Sequence, residues 1–435
     1  MISILPDHFE GPHRLFPKGK HAQKRFFARL AFLLTAVFCV SALVSVVQGG
    51  ERTICSPCFA LPKAFLVPMD DSQTEHCRAY GLVYRALLNK SPDISWLLNF
   101  RGGSFLLPST ADIASDASSC GVKLEAIDAV ELSGILTEIS EENMDVVPLE
   151  IAPRIAIYLR GGEAHQGDVV ARTLEYAKIP FKTLYDGEIL DGKLASVDWL
   201  HIHHKDFTGQ GHKAGVDAFD RELTAGRHFA KPWQMKQAVS ATIRGWVSGG
   251  GFLFAMCSAA ETLDISLAAQ DVDIVPSSWD GDPPDPDFER KLDFTKSMAF
   301  GNFTVTPSGH HYSDIDIPSA GEGTTFSLFG FSAQVDAIPT LLNQNHVNEI
   351  QGFSGETTSF RKSLVKKDVT ILAENNDGVS VRYLCGTVGK GVFCYYGGHA
   401  PGPMNRGDFK QFAPAYRLIL NNVLFPSAKI KKRKT

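Results

Sequence analysis

The chain has 435 residues, 44% of them hydrophobic and 21% charged, with a net charge of −5. That length supports one large or two ordinary domains with an ample core, and the composition excludes a disordered or fibrous chain. Mild acidity argues against nucleic acid as a partner, and the basic tail at residues 429–435 is too short to alter this.

The N-terminus departs from this pattern. Residues 1–29 form a basic segment ending in Lys18, Lys20, Lys24, Arg25 and Arg29, followed by the uncharged run "LAFLLTAVFCVSALVSVV". Residues 30–48 therefore read as a signal peptide or a transmembrane helix, with the basic flank kept in the cytoplasm and the remainder exported. Anchor and cleaved signal both stay open, so the expected location is the cell membrane or, after cleavage, the periplasm or exterior. Residues 51–63 read as a linker holding Cys55 and Cys58. This single C-x-x-C lacks the strand-then-helix context of a redox pair and the second pair of a zinc ribbon, which leaves a disulfide or two idle thiols. Eight cysteines in all are too few for a disulfide scaffold.

Residues 64–150 read as an N-terminal α/β region. "AFLVPMDD" and "ISWLLNF" have strand character, "SQTEHCRAYGLVYRALL" has helical spacing, and two weaker helices flank "KLEAI". From residue 151 the signal sharpens. Continuous apolar runs in "RIAIYL", "FKTLYD", "VDWLHIH" and "FLFAM" alternate with helices at residues 167–177, 234–248 and from 258. Strands apolar throughout and separated by helices predict a mostly parallel, doubly wound sheet covered on both faces, over residues 151–428. Residues 277–355, rich in Gly, Pro and Asp, predict a small insertion of loops and short antiparallel strands. Strands "VTILAE", "VSVRYLC" and "GVFCYYGG" and a helix "APAYRLILNNVLF" close the chain.

Ligands of open α/β sheets bind outside the carboxyl ends of the strands, and the candidate residues are sought there. Cys257 stands between the strand "FLFAM" and a helix, with Ala255 and Ala259 two residues away on either side. A nucleophile elbow requires small neighbours there, and a helix N-terminus favours thiolate. A buried structural cysteine fits the same pattern. His399, after a strand and two glycines, is the best-placed base. "LLNFRGG" and "AIYLRGG" each end an apolar run with Arg-Gly-Gly, and their Arg101, Gly102, Arg160, Gly161 and Gly162 suit either backbone capture of an anion or tight turns. His203, His204 and Asp206 in "HIHHKDFTGQGH", together with Asp70 and the polar "NQNH" around His346, complete a candidate set for a small polar ligand. His201, His203, His204, Asp206 and His212 invite a metal, but their spacing lacks a firm third ligand, so none is assigned as a ligand. The acidic loop at Asp280, Asp282, Asp285 and Asp287 lacks the later glutamate of a calcium loop. No phosphate-binding glycine motif appears, and no cofactor is expected.

The order strand, helix, strand, strand, helix, then strand–Cys–helix resembles the class I glutamine amidotransferase-like fold, with Cys257 at the nucleophile position. That family's histidine is followed two places on by glutamate, whereas Ala400 and Pro401 follow His399. "GKGVFCYYGGHAP" also resembles trehalose-utilisation-like proteins, a branch that lacks the cysteine triad. "MDDSQTEHCRAYGLVY", "LLNFRGGSFLLP", "DWLHIHHKDFTGQ" and "FLFAMCSAAETLDI" resemble a bacterial family carrying the name asparagine synthetase B. True synthetases of that name have an N-terminal nucleophilic cysteine and an SGG-x-DS loop for ATP. Here Ile2 follows Met1, and "SGGGFLF" leads into a strand, so synthetase chemistry is rejected. The resemblance implies an amidotransferase-like domain, which the N-terminus makes exported or membrane-anchored; if it is an enzyme, hydrolysis of a small polar amide or ester through Cys257 with His399 as base fits best. A sugar- or polar-ligand-binding module is the alternative, and a metal-dependent hydrolase is third. No protein partner is implied.

Overall fold

The structure, a computed structural model, describes residues 63–159, 161, 164–210, 218–306, 311–317, 325–351, 359–398 and 408–430. The basic segment, the apolar run at 30–48, Cys55, Cys58, Arg160, Gly162, His212 and His399 lie outside them. Among the described residues no helix is long and apolar enough to cross a membrane.

The first part is a small antiparallel sheet. Strands β1 (Ala64–Val67), β2 (Ser95–Leu98), β3 (Ser104–Pro108), β4 (Glu125–Ile127) and β5 (Asp145–Pro148) lie in the order β4-β1-β3-β2-β5. Helix α1 (His76–Leu88) covers one face of it. Helix α2 (Ala111–Cys120) lies on the same face, and α3 (Ala129–Glu141) on the other. Thr110 caps α2 and an Asp128–Glu131 capping box starts α3, each satisfying amides that a helix start leaves open. On the far face Leu66, Leu97, Leu106 and Ile139 form a small core of their own.

The second part is a ten-stranded sheet. Strands β6 (Ile155–Tyr158), β7 (Lys182–Leu184), β8 (Trp199–His203), β9 (Phe252–Met256) and β15 (Gly391–Tyr396) are parallel, in the order β7-β6-β8-β9-β15. The four strands expected to be parallel neighbours are so. This is a flavodoxin-like arrangement, and its topological switch point falls between β6 and β8. Beyond β15 the sheet turns antiparallel through β14 (Ser380–Val388), β13 (Thr370–Asn375), β10 (Thr325–Leu328) and β11 (Glu349–Gln351), and β12 (Phe360–Arg361) pairs with β14. The expected insertion thus supplies the antiparallel edge.

Helices α4 (Val169–Ala177) and α12 (Ala413–Leu424) lie on one face of this sheet. Helices α5 (Asp186–Leu190), α7 (Pro232–Ser248) and α8 (Ser258–Ala268) lie on the other, with α6 (Ala218–Gly226) leading into α7. Period-2 alternation divides the strands between two cores. Trp199, Phe254, Met256 and Ile157 join α4, α12 and α1 in one core that continues to Trp96 and Phe105 of the small sheet. Leu200, Ile202, Leu253 and Ala255 face α7 and α8. Helix α1 is therefore sandwiched between the sheets. It approaches α4 at Gly81, where a Cβ would lie 1.7 Å from the Ala177 carbonyl oxygen, so a side chain there is excluded. Between α8 and β13 run two one-turn helices, α9 (Ser277–Asp280) and α10 (Phe288–Lys291), and α11 (Ala337–Leu342).

Candidate active site

Strands β8, β9 and β15 end side by side. His203 pairs with Met256, and Met256 with Tyr396. Cys257 follows at once as the N-cap of α8, with φ 56° and ψ −140°. That backbone region is disfavoured for any side chain and costs about 1–3 kcal/mol unless the surroundings impose it. The Cys257 amide donates to the Tyr396 carbonyl at 2.9 Å, tying the turn to the end of β15. Ala255 and Ala259 are fully buried on either side. Cys257 itself is also buried. None of the described cysteines, Cys77, Cys120, Cys257, Cys385 and Cys394, is in a disulfide. Gly397 and Gly398 follow the end of β15.

The neighbouring strand contributes imidazoles. His201 and His203 project from one face of β8, as an alternating strand requires. His201 is fully buried, and its Nδ1–H donates to the Phe254 carbonyl at 3.1 Å, which leaves Nε2 facing Asp168 Oδ2 at 3.3 Å. His203 Nδ1 lies 3.4 Å from the same oxygen. Asp168 caps α4, its Oδ1 accepting from the amides of Val170 and Ala171 at 2.7 and 2.9 Å. Burial works against ionisation of Asp168, but the imidazoles of His201 and then His203 hold its carboxyl well below the ordinary range. His204 turns off the strand with φ 50°, its ring centroid 3.8 Å from that of His203. Asp206 accepts from the amide and hydroxyl of Thr208 at 2.8 and 2.6 Å, capping its own turn. Gly161 sits under the ring of Phe219, where a Cβ would be 1.8 Å from a ring carbon.

The remaining candidates gather at a second place, around the start of α1. Arg101, Gly102 and Gly103 all have positive φ, so the Arg-Gly-Gly of the small sheet is a left-handed turn. The Arg101 guanidinium is held by Asp70 at 2.5 Å and by Glu125 at 2.6 and 3.1 Å. Burial opposes ionisation of Asp70, yet Arg101 and Ser72 bring its pKa down to about 2. Gly102 offers its carbonyl to the buried Arg417 of α12, which also donates to the Met69 carbonyl at 2.8 Å and to His346 Nδ1 at 2.7 Å. His346 stacks on His76 with centroids 4.6 Å apart. Burial first and the Arg417 charge second lower His76 to about 3 and His346 to about 4.

Sequence reasoning missed Asp168, Arg417, His76 and a buried network on the α7 side of the sheet. There Lys236 Nζ contacts Asp186 at 3.0 Å and Asp220 at 2.7 Å, and Tyr158 donates to Asp186. Glu261, one turn into α8, is buried and accepts from the Ser313 hydroxyl at 2.6 Å. Arg417 had a usable signal, a lone cation inside the apolar run "YRLILNN". Asp168 had none beyond that of an ordinary helix cap.

No protein-family model matches the chain, and no curated protein is similar to it in sequence. Among solved structures, a cytoplasmic protein from Salmonella typhimurium aligns over 63% of this chain and 98% of its own at 10% identity, with a TM-score of 0.35. A ThuA-like protein from Bacteroides uniformis aligns over 61% and 90% at 10% identity and a TM-score of 0.31. An exo-β-1,4-mannosidase from an Opitutaceae bacterium aligns over 60% of this chain and 34% of its own, at 12% identity and a TM-score of 0.27. Likeness at that level assigns no activity.

Proposed function

We propose that the protein is an amidotransferase-like hydrolase that cleaves a small polar amide or ester through Cys257. The observation that carries this reading is the Cys257 backbone, held at φ 56° on a strand-to-helix turn between buried alanines. Such a turn is costly for a residue with a side chain, and it sets Cys257 between the carboxyl end of β9 and the start of α8. The thiolate adds to the substrate carbonyl, amides at the start of α8 receive the oxyanion, and His399 returns the thiol proton to the leaving amine or alcohol. Water then releases the acid and restores the thiol. ATP-dependent asparagine synthesis is no part of this reading. The same reading puts residues 51–435 outside the cytoplasm, on the strength of the basic flank and the apolar run that follows it.

Iodoacetamide labelling with peptide mapping tests the assignment. Cys257 is expected to react in the native protein at neutral pH, more slowly in His399→Ala and not at all in Cys257→Ser. A Cys257 that reacts only after unfolding sinks it. The full burial of Cys257 favours a second reading, a non-catalytic module that binds a sugar or other polar ligand, and that outcome would select it.

A further inference from the structure

We propose that Asp168, His201 and His203 form a site for a divalent transition-metal ion of the zinc class, with one coordination position left for water or a ligand. The site does not involve Cys257, and it stands or falls independently of the hydrolase reading.

Donor chemistry, spacing and support agree. Two imidazoles and one carboxylate, a donor set that zinc accepts, place their ligand atoms within 4.8 Å of one another. Asp168 Oδ2 lies 3.3 Å from His201 Nε2 and 3.4 Å from His203 Nδ1. Hydrogen bonds between imidazolium and carboxylate run shorter, about 2.7–2.9 Å. Ligands about 2.0–2.1 Å from a shared tetrahedral ion sit about 3.3–3.4 Å from each other. The two carboxylate–imidazole separations match the second geometry.

The supporting bonds are those a metal site uses. A carbonyl can only accept, so the Phe254 contact fixes a hydrogen on His201 Nδ1 and turns Nε2, the atom a metal would take, toward Asp168. A buried imidazole nitrogen facing a carboxylate oxygen calls for a positive charge between them, which a metal ion supplies to all three groups at once. Asp168 Oδ1 is fixed by two backbone amides, which leaves Oδ2 to the imidazoles. Trp199 and Phe254 flank His201 and lower the local dielectric. Position in the fold points the same way. Asp168 follows β6 and His203 ends β8, and the crevice between those strands is the switch point at which such sheets bind ligands. A second cluster, Asp273, Asp280 and Asp282, already has its cation, since Lys231 Nζ reaches Asp280 at 3.2 Å and Asp282 more closely still.

The test loads the full chain with Zn2+, or with Co2+ as a coloured substitute, removes loose ion by desalting, and measures metal per chain by plasma mass spectrometry. Wild type and Cys257→Ser are both expected to retain about one ion per chain, with the visible bands of four-coordinate cobalt. His201→Ala and Asp168→Asn should lose at least about tenfold in metal content. Both substitutions sit in buried structure, so His203→Gln, at the strand end, is the variant to read if circular dichroism shows either one unfolded. Folded wild type that retains neither ion overturns the proposal. So does metal retained undiminished by His203→Gln.

Discussion

Acid should destabilise the protein through the stacked pair His76 and His346. His76 has an ordinary pKa of 6.5 and is lowered to about 3 by burial and by the Arg417 charge. Because its folded pKa is depressed, the unfolded chain binds the extra proton between those values, and stability falls as pH falls through that window. At about 1.4 kcal/mol per unit, the full shift amounts to about 5 kcal/mol, and lowering the pH from about 6.5 to about 4.5 removes about 2–3 kcal/mol through His76 alone. His346, lowered to about 4, acts in the same direction with a smaller share, because its ring is partly exposed. Asp70 titrates at about 2, below this window. The assay is the urea midpoint at several pH values for wild type and His76→Gln, whose amide can keep the donation that His76 Nε2 makes to the Asp70 carbonyl at 3.0 Å. The variant should show a pH slope shallower by up to about 1.4 kcal/mol per unit, whatever its stability at pH 7. An unchanged slope would show that His76 takes up its proton in the fold as readily as in the unfolded chain.

Lys236→Met should cost about 3–5 kcal/mol in urea unfolding, because Asp186 and Asp220 are left buried without their cation; adding Asp186→Asn should recover part of the loss, and a cost under about 1 kcal/mol in the single variant contradicts the ion-pair account. Protease added to intact spheroplasts should digest residues 51–435, and a domain that stays whole until the cells are lysed refutes export.

The sheet was legible because its strands are buried on both faces. "FLFAM" is a continuous apolar run and "VDWLHIH" carries apolar residues on both faces, as a parallel interior strand does, and they became β9 and β8. β3 and β5 were not read. Ser104–Pro108 follows too closely on the previous strand to look separate, and Asp145–Pro148 is a short edge strand with a charge at its start. The strand-to-helix turn at Cys257 was readable from Ala255 and Ala259, since a strained backbone in a packed layer demands small neighbours. The joining of Asp168 to His201 was not readable. An aspartate before "VV" announces a helix cap, and no local pattern says that the free oxygen of that cap will meet a strand more than one element away. His76 and His346 are likewise brought together by tertiary packing alone, through α1 and the turn after α11.

β9, the strand that carries Cys257, has its two partners at very different distances along the chain: β8 shortly before it, β15 far after it. During synthesis β6 to β9 can assemble while one edge of β9 stays open, and the Cys257 amide has no carbonyl to meet until Tyr396 has emerged. The bond that ties the turn to β15 therefore waits on long-range pairing of the kind that slows folding. Until then the apolar edge of β9 invites wrong partners. A nascent chain halted before β15 should be prone to aggregate, with the Cys257 turn lacking the bond that fixes it to the sheet. The reactivity of Cys257 would then report completed folding rather than mere presence of the residue.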